Sequence, residues 1–408
     1  MEFLQAKEYL TSISQEQLLR YYDELPEEGK KRLLSQVETT DFSVLENLKH
    51  REDLSGKGKT EPIEGLRLSD IAARRDEFFA VGKKTIREGK VGAVLLAGGQ
   101  GTRLGFDGPK GAYNIGVTKH LYIFEQQVKN LLEVVEECGA YVPLYIMTSD
   151  VNHDATVSFW QAHNYFGYPA EYIKFFVQDM APAVSRDGKV LLAEKGSIAL
   201  SPNGNGGWFG SMQKCGLLDD VKSRGIEWLN TYAVDNVLQR IADPVFVGAT
   251  VLSGRNCGAK VVCKVAPEER VGVLCLEDGK PNIIEYYEMT EEMANMRDEK
   301  GDLKYIYGVI LNYLFNVKKA LAICDKKIPV HVVEKKVSYV NDKGETVRPD
   351  APNAYKFETL ILDMIKLMDS CLPYEVKRER EFAPVKNAVG TDSVETARRL
   401  LKLNGINL

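Results

Sequence analysis

Apolar residues in the first fifty positions recur at helical spacing. They predict two or three short amphipathic helices over residues 2 to about 50, one in EQLLRYYDEL after Ser14 and one in EEGKKRLLSQV, whose acids lead and bases follow as the helix dipole favours. REDLSGKGKTEP, residues 51–62, breaks this period with glycine and charge and predicts a linker. Next comes a helix, capped by Ser69 and running to about Glu88. There the period changes. Val91 to Ala97 is an unbroken apolar run, as in a strand buried on both faces. Strand-like runs follow at YVPLYIMTS (141–149), YIKFFVQD (172–179), IEWLNTYAVDN (226–236) and GAKVVCKV (258–265), with helix-like VSFWQAHNYFG (157–167) among them. VGVLCLEDGKPNIIEYYE (271–288) reads as a hairpin turning at Asp278-Gly279. Further on, YKFETLILDMIKLMDSC reads as an amphipathic helix, YEVKREREFAP as an extended segment and SVETARRLLKL as a short closing helix.

Alternating strands and helices predict an α/β fold, a mixed and mainly parallel central sheet flanked by helices on both faces. Three regions are expected: a helical region with its linker over 1–60, a main domain over 61–386, and a short helical tail over 387–408. No repeat or low-complexity tract interrupts them.

Composition narrows the possible functions. The 408 residues are 44% apolar and 27% charged, and no stretch approaches the roughly 18 apolar residues of a membrane span. MEFLQAKEYL has neither the basic nor the apolar part of a signal peptide, so a cytoplasmic protein is expected. The seven cysteines form no CxxC pair and no zinc spacing, which predicts reduced, buried, structural thiols. A net charge of −5 argues against nucleic-acid binding. Anionic ligands must therefore be met by locally placed Lys and Arg.

LLAGGQGTRLGFDGPKGAYNIG, residues 95–116, holds seven glycines just after the first buried strand. It does not have the GxGxxG spacing of dinucleotide loops, since Gly99-x-Gly101 is followed by Gly105, nor the GxxxxGK[ST] spacing of P-loops. Glycines still let a backbone approach a flat base or a phosphate closely and expose successive N–H donors. Arg103 and Lys110 would add fixed positive charge for a polyphosphate. The plain alternative is a tight turn with solvated basic residues.

LAGGQGTRLG…PKG resembles the signature loop of the eukaryotic-type UDP-sugar pyrophosphorylase family, nearest to its UDP-N-acetylglucosamine branch. YIMTS, FFVQDMAPA, SPNGNGG, TYAVDNVLQRIADP, CGAKVV, VGVLC, IIEYYE, RPDAPNAYKFE and YEVKREREFAPVKNA follow in the family's order, over about residues 15 to 390. The resemblance implies a Rossmann-like, GT-A-like nucleotidyltransferase that converts UTP and a sugar 1-phosphate to UDP-sugar and pyrophosphate. Its nucleophile is already an anion, so alignment and charge neutralisation replace general-base chemistry. None of the five histidines stands in a familiar catalytic string.

By the same resemblance, Ala97, Gly98, Gly99, Gly101, Thr102, Gln178, Pro202 and Gly204 hold the nucleotide, with the Gln178 amide offering a donor and an acceptor to the uracil edge. Arg103, Lys110, Lys356 and Lys386 meet phosphate, and Asn205, Glu285, Gly308 and Val309 meet the sugar. Asp235, at the end of an apolar strand, is implied as the Mg²⁺ ligand, with a helix N-cap as its structural alternative.

Three departures accompany the likeness. The family's FNxGNI string reads Tyr305-Ile306-Tyr307-Gly308-Val309-Ile310, so both asparagines are replaced. Val309 cannot donate a hydrogen bond to a sugar, which leaves glucose or galactose 1-phosphate as alternatives to N-acetylglucosamine 1-phosphate. The family's further C-terminal domain has no counterpart after Lys386, and a monomer is expected. Thr118-Lys119-His120-Leu121 lacks the usual Ser or Thr before its helix, which predicts a different helix start. A non-catalytic UDP-sugar sensor is the rival from another class, and a nicotinamide oxidoreductase is a weaker third.

Overall fold

The computed structural model describes residues 1–49, 58–324 and 328–408. The first part of the expected linker, 51–57, lies outside them, and the rest is no linker, because Thr60–Pro62 is a strand paired antiparallel to residues 275–277. Two compact units result, one of Met1–Gly56, Gln178–Gly207 and Ile328–Ile361, the other of Lys57–Val177, Trp208–Lys327 and Leu362–Leu408. The chain thus divides by long-range pairing rather than at residues 60 and 386. No described helix is long and apolar enough to cross a membrane.

The larger unit is built on a mixed ten-stranded sheet. Val91–Leu96, buried at every position, runs parallel between Leu144–Thr148 and Trp228–Ala233, and Ile173–Val177 continues the parallel set. Tyr307–Asn316 joins antiparallel to Trp228–Ala233 and to Cys257–Cys263, and the latter pairs in parallel with Cys371–Glu375. The expected hairpin is present: Val273–Glu277 pairs with Lys280–Ile284 through Asp278 and Gly279, whose φ angles of 50° and 76° are those a tight two-residue turn requires. Helix Ile123–Cys138 buries Phe124, Val128, Leu131 and Val134 in the core of this unit, and Gln127 and Asn130 lie in the same buried stripe. The altered start of this helix is visible at Tyr122, whose N–H donates back to Glu125 (3.4 Å) in place of a hydroxyl cap.

Several elements depart from the expected pattern. Helix Leu68–Ala73 begins before Ser69, with the Arg67 N–H held by Asp70 (2.9 Å), and a second helix, Arg75–Arg87, follows a break at Arg74. Helix His153–Ala162 ends early because Asn164, Tyr165 and Phe166 take left-handed φ angles of 47°, 51° and 55°. YEVKREREFAP is extended only at its start, since Arg378–Glu381 coils into a short helix. The closing helix, Val394–Leu403, is capped by Ser393 and buries Val394, Ala397 and Leu401 in the core of the larger unit, so it is not an appended tail.

In the smaller unit, Glu27–Thr39 is the helix expected of EEGKKRLLSQV, but EQLLRYYDEL winds only into short 3-10 turns after Ser14, and the first helix is Phe3–Ser12. Residues 355–358, expected to be helical, belong to the strand Ala354–Glu358 between His331–Lys335 and Val184–Ser185, and the helix of that stretch is only Ile361–Leu367. The reason is a period of two: Tyr355 and Phe357 are buried while Lys356 and Glu358 stay half-exposed. The cysteines are free thiols as expected, but they are not all buried: Cys215 is exposed, and Cys263 and Cys324 are half-buried.

Candidate active site

The glycine-rich loop leaves the carboxyl end of the Val91–Leu96 strand, where α/β sheets collect ligands. It closes on itself. Gln100 bridges to Pro109, the Gly101 N–H donates to the Gly108 carbonyl (2.9 Å), and the Lys110 N–H donates to the Gly99 carbonyl (3.1 Å). Thr102–Leu104 winds into a 3-10 turn inside that closure. The start of the loop is held by Asn152, fully buried, whose amide donates to the carbonyls of Ala97 (2.9 Å) and Gly99 (3.3 Å). A Cβ on Gly99 would meet nothing within 4 Å, so this stretch of backbone is open to a ligand's approach.

Four expected charged residues of the larger unit come together here. Lys110 is only 6% exposed, and among the described residues no hydrogen bond or ion pair holds its ammonium. Burial pushes its pKa below the ordinary 10.5; the Asp235 carboxylate offsets part of that, and the Arg103 and Lys386 cations add to it. Arg103 is exposed and has no ion pair among the described residues, whereas Lys386 is half-buried and ion-paired to Asp392 (3.3 Å). No helix follows Asp235, so it is not an N-cap.

Asp235 and Lys386 are brought together by backbone pairing. The Val385 N–H donates to the Asp235 carbonyl (2.8 Å) and Asn236 bridges to Pro384. The Asn236 side chain, 1% exposed, accepts from the Ala383 N–H (2.9 Å) and donates to the Glu381 carbonyl (2.7 Å). The Glu381 carboxylate is anchored in turn on the fully buried Lys260 ammonium (2.5 Å), which also meets Asp243 (3.1 Å). A buried pair of this kind fixes geometry more than it adds stability.

The sugar-side residues of this unit form a second group. The Val309 N–H donates to the Gly272 carbonyl (2.9 Å), and a Cβ on Gly272 would lie 3.5 Å from the Val309 side chain and 3.7 Å from the Glu285 carboxylate. Gly308 stands next to them, opposite Val273 and Val262 in the sheet.

The remaining expected residues belong to the smaller unit. Gln178, 7% exposed, precedes a ribbon in which Met180–Pro182 pairs with Leu200–Pro202, and the Asn203 N–H donates to the Asp179 carbonyl (3.0 Å). Gln178 is thereby brought to the same end of the ribbon as Pro202 and Gly204. Gly204 has φ of 90°, and a Cβ there would stand 2.3 Å from the Thr359 carbonyl, so only glycine fits. The Asn205 side-chain oxygen accepts from the Ile361 N–H (3.0 Å), which leaves its NH₂ group for a ligand. Lys356 is half-buried on its strand; burial lowers its pKa, Glu358 opposes this and Lys335 reinforces it. Ser201 Oγ and Asn203 Oδ1, buried without a hydrogen-bond partner, flank Pro202.

Among the described residues no three His, Cys, Asp or Glu side chains gather into a metal cage. A single hard carboxylate fits Mg²⁺ only when phosphate oxygens supply much of the coordination, and Asp235 offers that one carboxylate.

Residues 61–399 match the family described as UTP--glucose-1-phosphate uridylyltransferase. The chain belongs to this family. It is 37% identical over 418 residues to the human UDP-N-acetylhexosamine pyrophosphorylase-like protein 1, an alignment covering 96% of this chain and 82% of that protein. It is 35% identical over 421 residues to UDP-N-acetylglucosamine diphosphorylase 2 of Arabidopsis thaliana, covering 97% and 82%. The crystal structure of the uridine diphosphate N-acetylglucosamine pyrophosphorylase from Trypanosoma brucei superposes with a TM-score of 0.82 at 27% identity, over 96% of this chain and 82% of that one. The closed glycine loop and the three charges around Lys110 all lie within the matched residues. Sequence reasoning missed Asn152, Asn236 and the buried amides of helix Ile123–Cys138. Polar letters inside an apolar stripe, as in IFEQQVKNLL, were the available signal.

Proposed function

We propose that this chain transfers the uridylyl group of UTP to a sugar 1-phosphate, with N-acetylglucosamine 1-phosphate as the preferred acceptor, and releases pyrophosphate. The observation that carries the reading is Lys110, a lysine 6% exposed, without an ion pair, beside Arg103, Lys386 and Asp235 on a glycine loop. A buried, uncompensated ammonium is costly in a free protein, and a polyphosphate would supply the missing counter-charge. In the larger unit the open backbone at Gly99 suits the close approach of a flat base, and in the smaller unit the Gln178 amide offers the donor and acceptor that a uracil edge requires. The names of the relatives support the N-acetylated sugar.

In this reading the sugar phosphate oxygen attacks the α-phosphorus in line and pyrophosphate leaves opposite. No residue need accept a proton. Lys110 and Arg103 hold the triphosphate, Lys386 and Lys356 meet the phosphates that move, and Glu285 accepts from sugar hydroxyls. Bound Mg²⁺, held by Asp235 and phosphate oxygens, would supply further neutralisation of the phosphate charge.

A second acceptor class is favoured by one observation. Val309, apolar and adjacent to Glu285, offers no donor to an N-acetyl oxygen, which suits glucose or galactose 1-phosphate. Incubating the protein with UTP, Mg²⁺ and a panel of sugar 1-phosphates, with pyrophosphate release as the readout, decides both questions. Release with N-acetylglucosamine 1-phosphate above the other sugars is expected. Preference for glucose or galactose 1-phosphate moves the assignment to them, and no release with any sugar defeats the enzyme and leaves the UDP-sugar sensor.

A further inference from the structure

The turn that carries Asp235 rests on buried carboxamides that have no part in the chemistry described above. Gln127 donates through its amide to the carbonyls of Ala233 (3.0 Å), Val234 (3.1 Å) and Asn236 (3.2 Å). Gln239 donates to Ala233 (2.7 Å) and Asn236 (3.1 Å), and Asn130 donates to Val237 (3.0 Å) and Gln239 (3.1 Å). Gln127, Asn130 and Gln239 are 2%, 7% and 0% exposed. Two of them are themselves held: Asn312 donates to Gln239 (3.3 Å) and Gln126 donates to Asn130 (2.7 Å).

The Asp235 carboxylate has no hydrogen bond or ion pair among the described residues, so its placement depends on where the backbone of the turn puts its Cα–Cβ bond. The peptide before Asp235 is held by Gln127 at the Val234 carbonyl, and both amides brace the turn one residue further out on each side, at the carbonyls of Ala233 and Asn236. The same turn accepts the Val385 N–H at the Asp235 carbonyl, so it also registers the segment that ends in Lys386.

We propose that Gln127 and Gln239 are positioning residues that aim the Asp235 carboxylate at a nucleotide-bound divalent cation. The inference rests on the uridylyltransferase reading. The two amides share two of their three carbonyls, so replacing Gln127 by methionine, of similar length and apolar, leaves only Val234 without a side-chain donor. The fold should survive that loss.

The experiment compares Gln127→Met and Gln239→Met with Val134→Ala, a core truncation on the same helix as Gln127 that removes no hydrogen bond to the turn. Turnover with UTP and N-acetylglucosamine 1-phosphate is measured beside Mn²⁺ binding to the protein–UTP complex by electron paramagnetic resonance. Loss of an orienting neighbour predicts roughly tenfold weaker Mn²⁺ binding and roughly tenfold lower kcat in Gln127→Met, and a loss of about threefold in both for Gln239→Met, whose two carbonyls keep Gln127 as a donor. Their KM for UTP should stay within about twofold, because the glycine loop is untouched. Val134→Ala should lower the melting temperature and leave all three quantities in place.

A folded Gln127→Met with unchanged kcat and Mn²⁺ affinity overturns the proposal, as does Val134→Ala reproducing its losses. If Gln127→Met does not melt cooperatively, Gln239→Met decides by the same measurements, and failure of both to fold makes the amides structural supports only. A wild-type chain that transfers uridylyl to no sugar phosphate defeats the functional reading instead, and it is recognised before any variant is made.

Discussion

Asp235 stands between Val234 and Asn236, 6% and 1% exposed, on a turn whose carbonyls are bonded to buried amides, whereas Glu285 opens a turn in which Tyr286 and Tyr287 are 44% and 72% exposed. Both belong to the larger unit. Lys110 shares the first setting, buried beneath a loop that is closed by its own hydrogen bonds. Val309 shares the second, beside Glu285 at the margin of a strand. Asp235 and Lys110 are thus fixed by the core, and Glu285 by an exposed turn. Transition-state charge must be met by groups that need no reorganisation, while acceptor choice can be adjusted at a surface without disturbing the fold.

The largest effect should come from the buried cation. Lys110→Ala is expected to lower kcat by about 10²–10³-fold, the range for removing one preorganised partner of transition-state charge, with pyrophosphate release as the assay. Arg103→Ala, on an exposed residue, should cost less and act mainly on the KM for UTP. Equal losses in the two variants would erase the distinction between buried and exposed positions on this loop.

Lys110 also gives the phosphate side a pH signature. Burial holds its pKa below 10.5, so as pH rises it loses its proton sooner in the folded protein than in the unfolded chain. Between the two values the unfolded state binds more protons, and its contribution to stability therefore rises with pH there. Binding a polyanion favours the charged form, so the affinity for UTP should fall as pH climbs through the depressed value. The alkaline limb of kcat/KM should then lie below 10.5. Lys110→Arg, which stays charged, should lose that limb while keeping part of the neutral-pH activity.

The same contrast governs what could be read from the letters. Val91–Leu96 and the Asp278-Gly279 hairpin were legible because one is apolar throughout and the other pairs a turn signal with two apolar runs. Residues 355–358 were not: four residues of alternating burial precede a true helix, and the pairing that selects the strand lies far away, at 331–335 and 184–185. Long-range pairing is also why the smaller unit is assembled from separate stretches of chain. In the site, the glycine loop and its cations could be named from the sequence because their residue types announce charge and close backbone approach. Gln127 and Asn130 could not, since an amide's role depends on which carbonyl it meets, and here those carbonyls are more than a hundred positions from either residue.

On the sugar side the expected change is one of preference rather than rate. Val309→Asn restores a donor next to Glu285, and it should shift the ratio of kcat/KM for N-acetylglucosamine over glucose 1-phosphate by about tenfold toward the N-acetylated sugar. Stability should change little, because Val309 is only partly buried. An unchanged ratio with lowered activity would mean that this strand supports the site without reading the acceptor.

The smallest effect tests a phosphate-side residue that, like Arg103, resembles the exposed side. Lys386 and Asp392 are 43% and 32% exposed in their side chains, and their ion pair must loosen if Lys386 is to meet a phosphate. A pair this accessible is worth about 0–1 kcal/mol, so Asp392→Asn should lower the KM for pyrophosphate in the reverse reaction by no more than about fivefold, with kcat unchanged. Asp392 is then a competitor for the lysine. A higher KM would instead make Asp392 the group that aims Lys386, extending to this exposed corner the preorganisation found around Asp235.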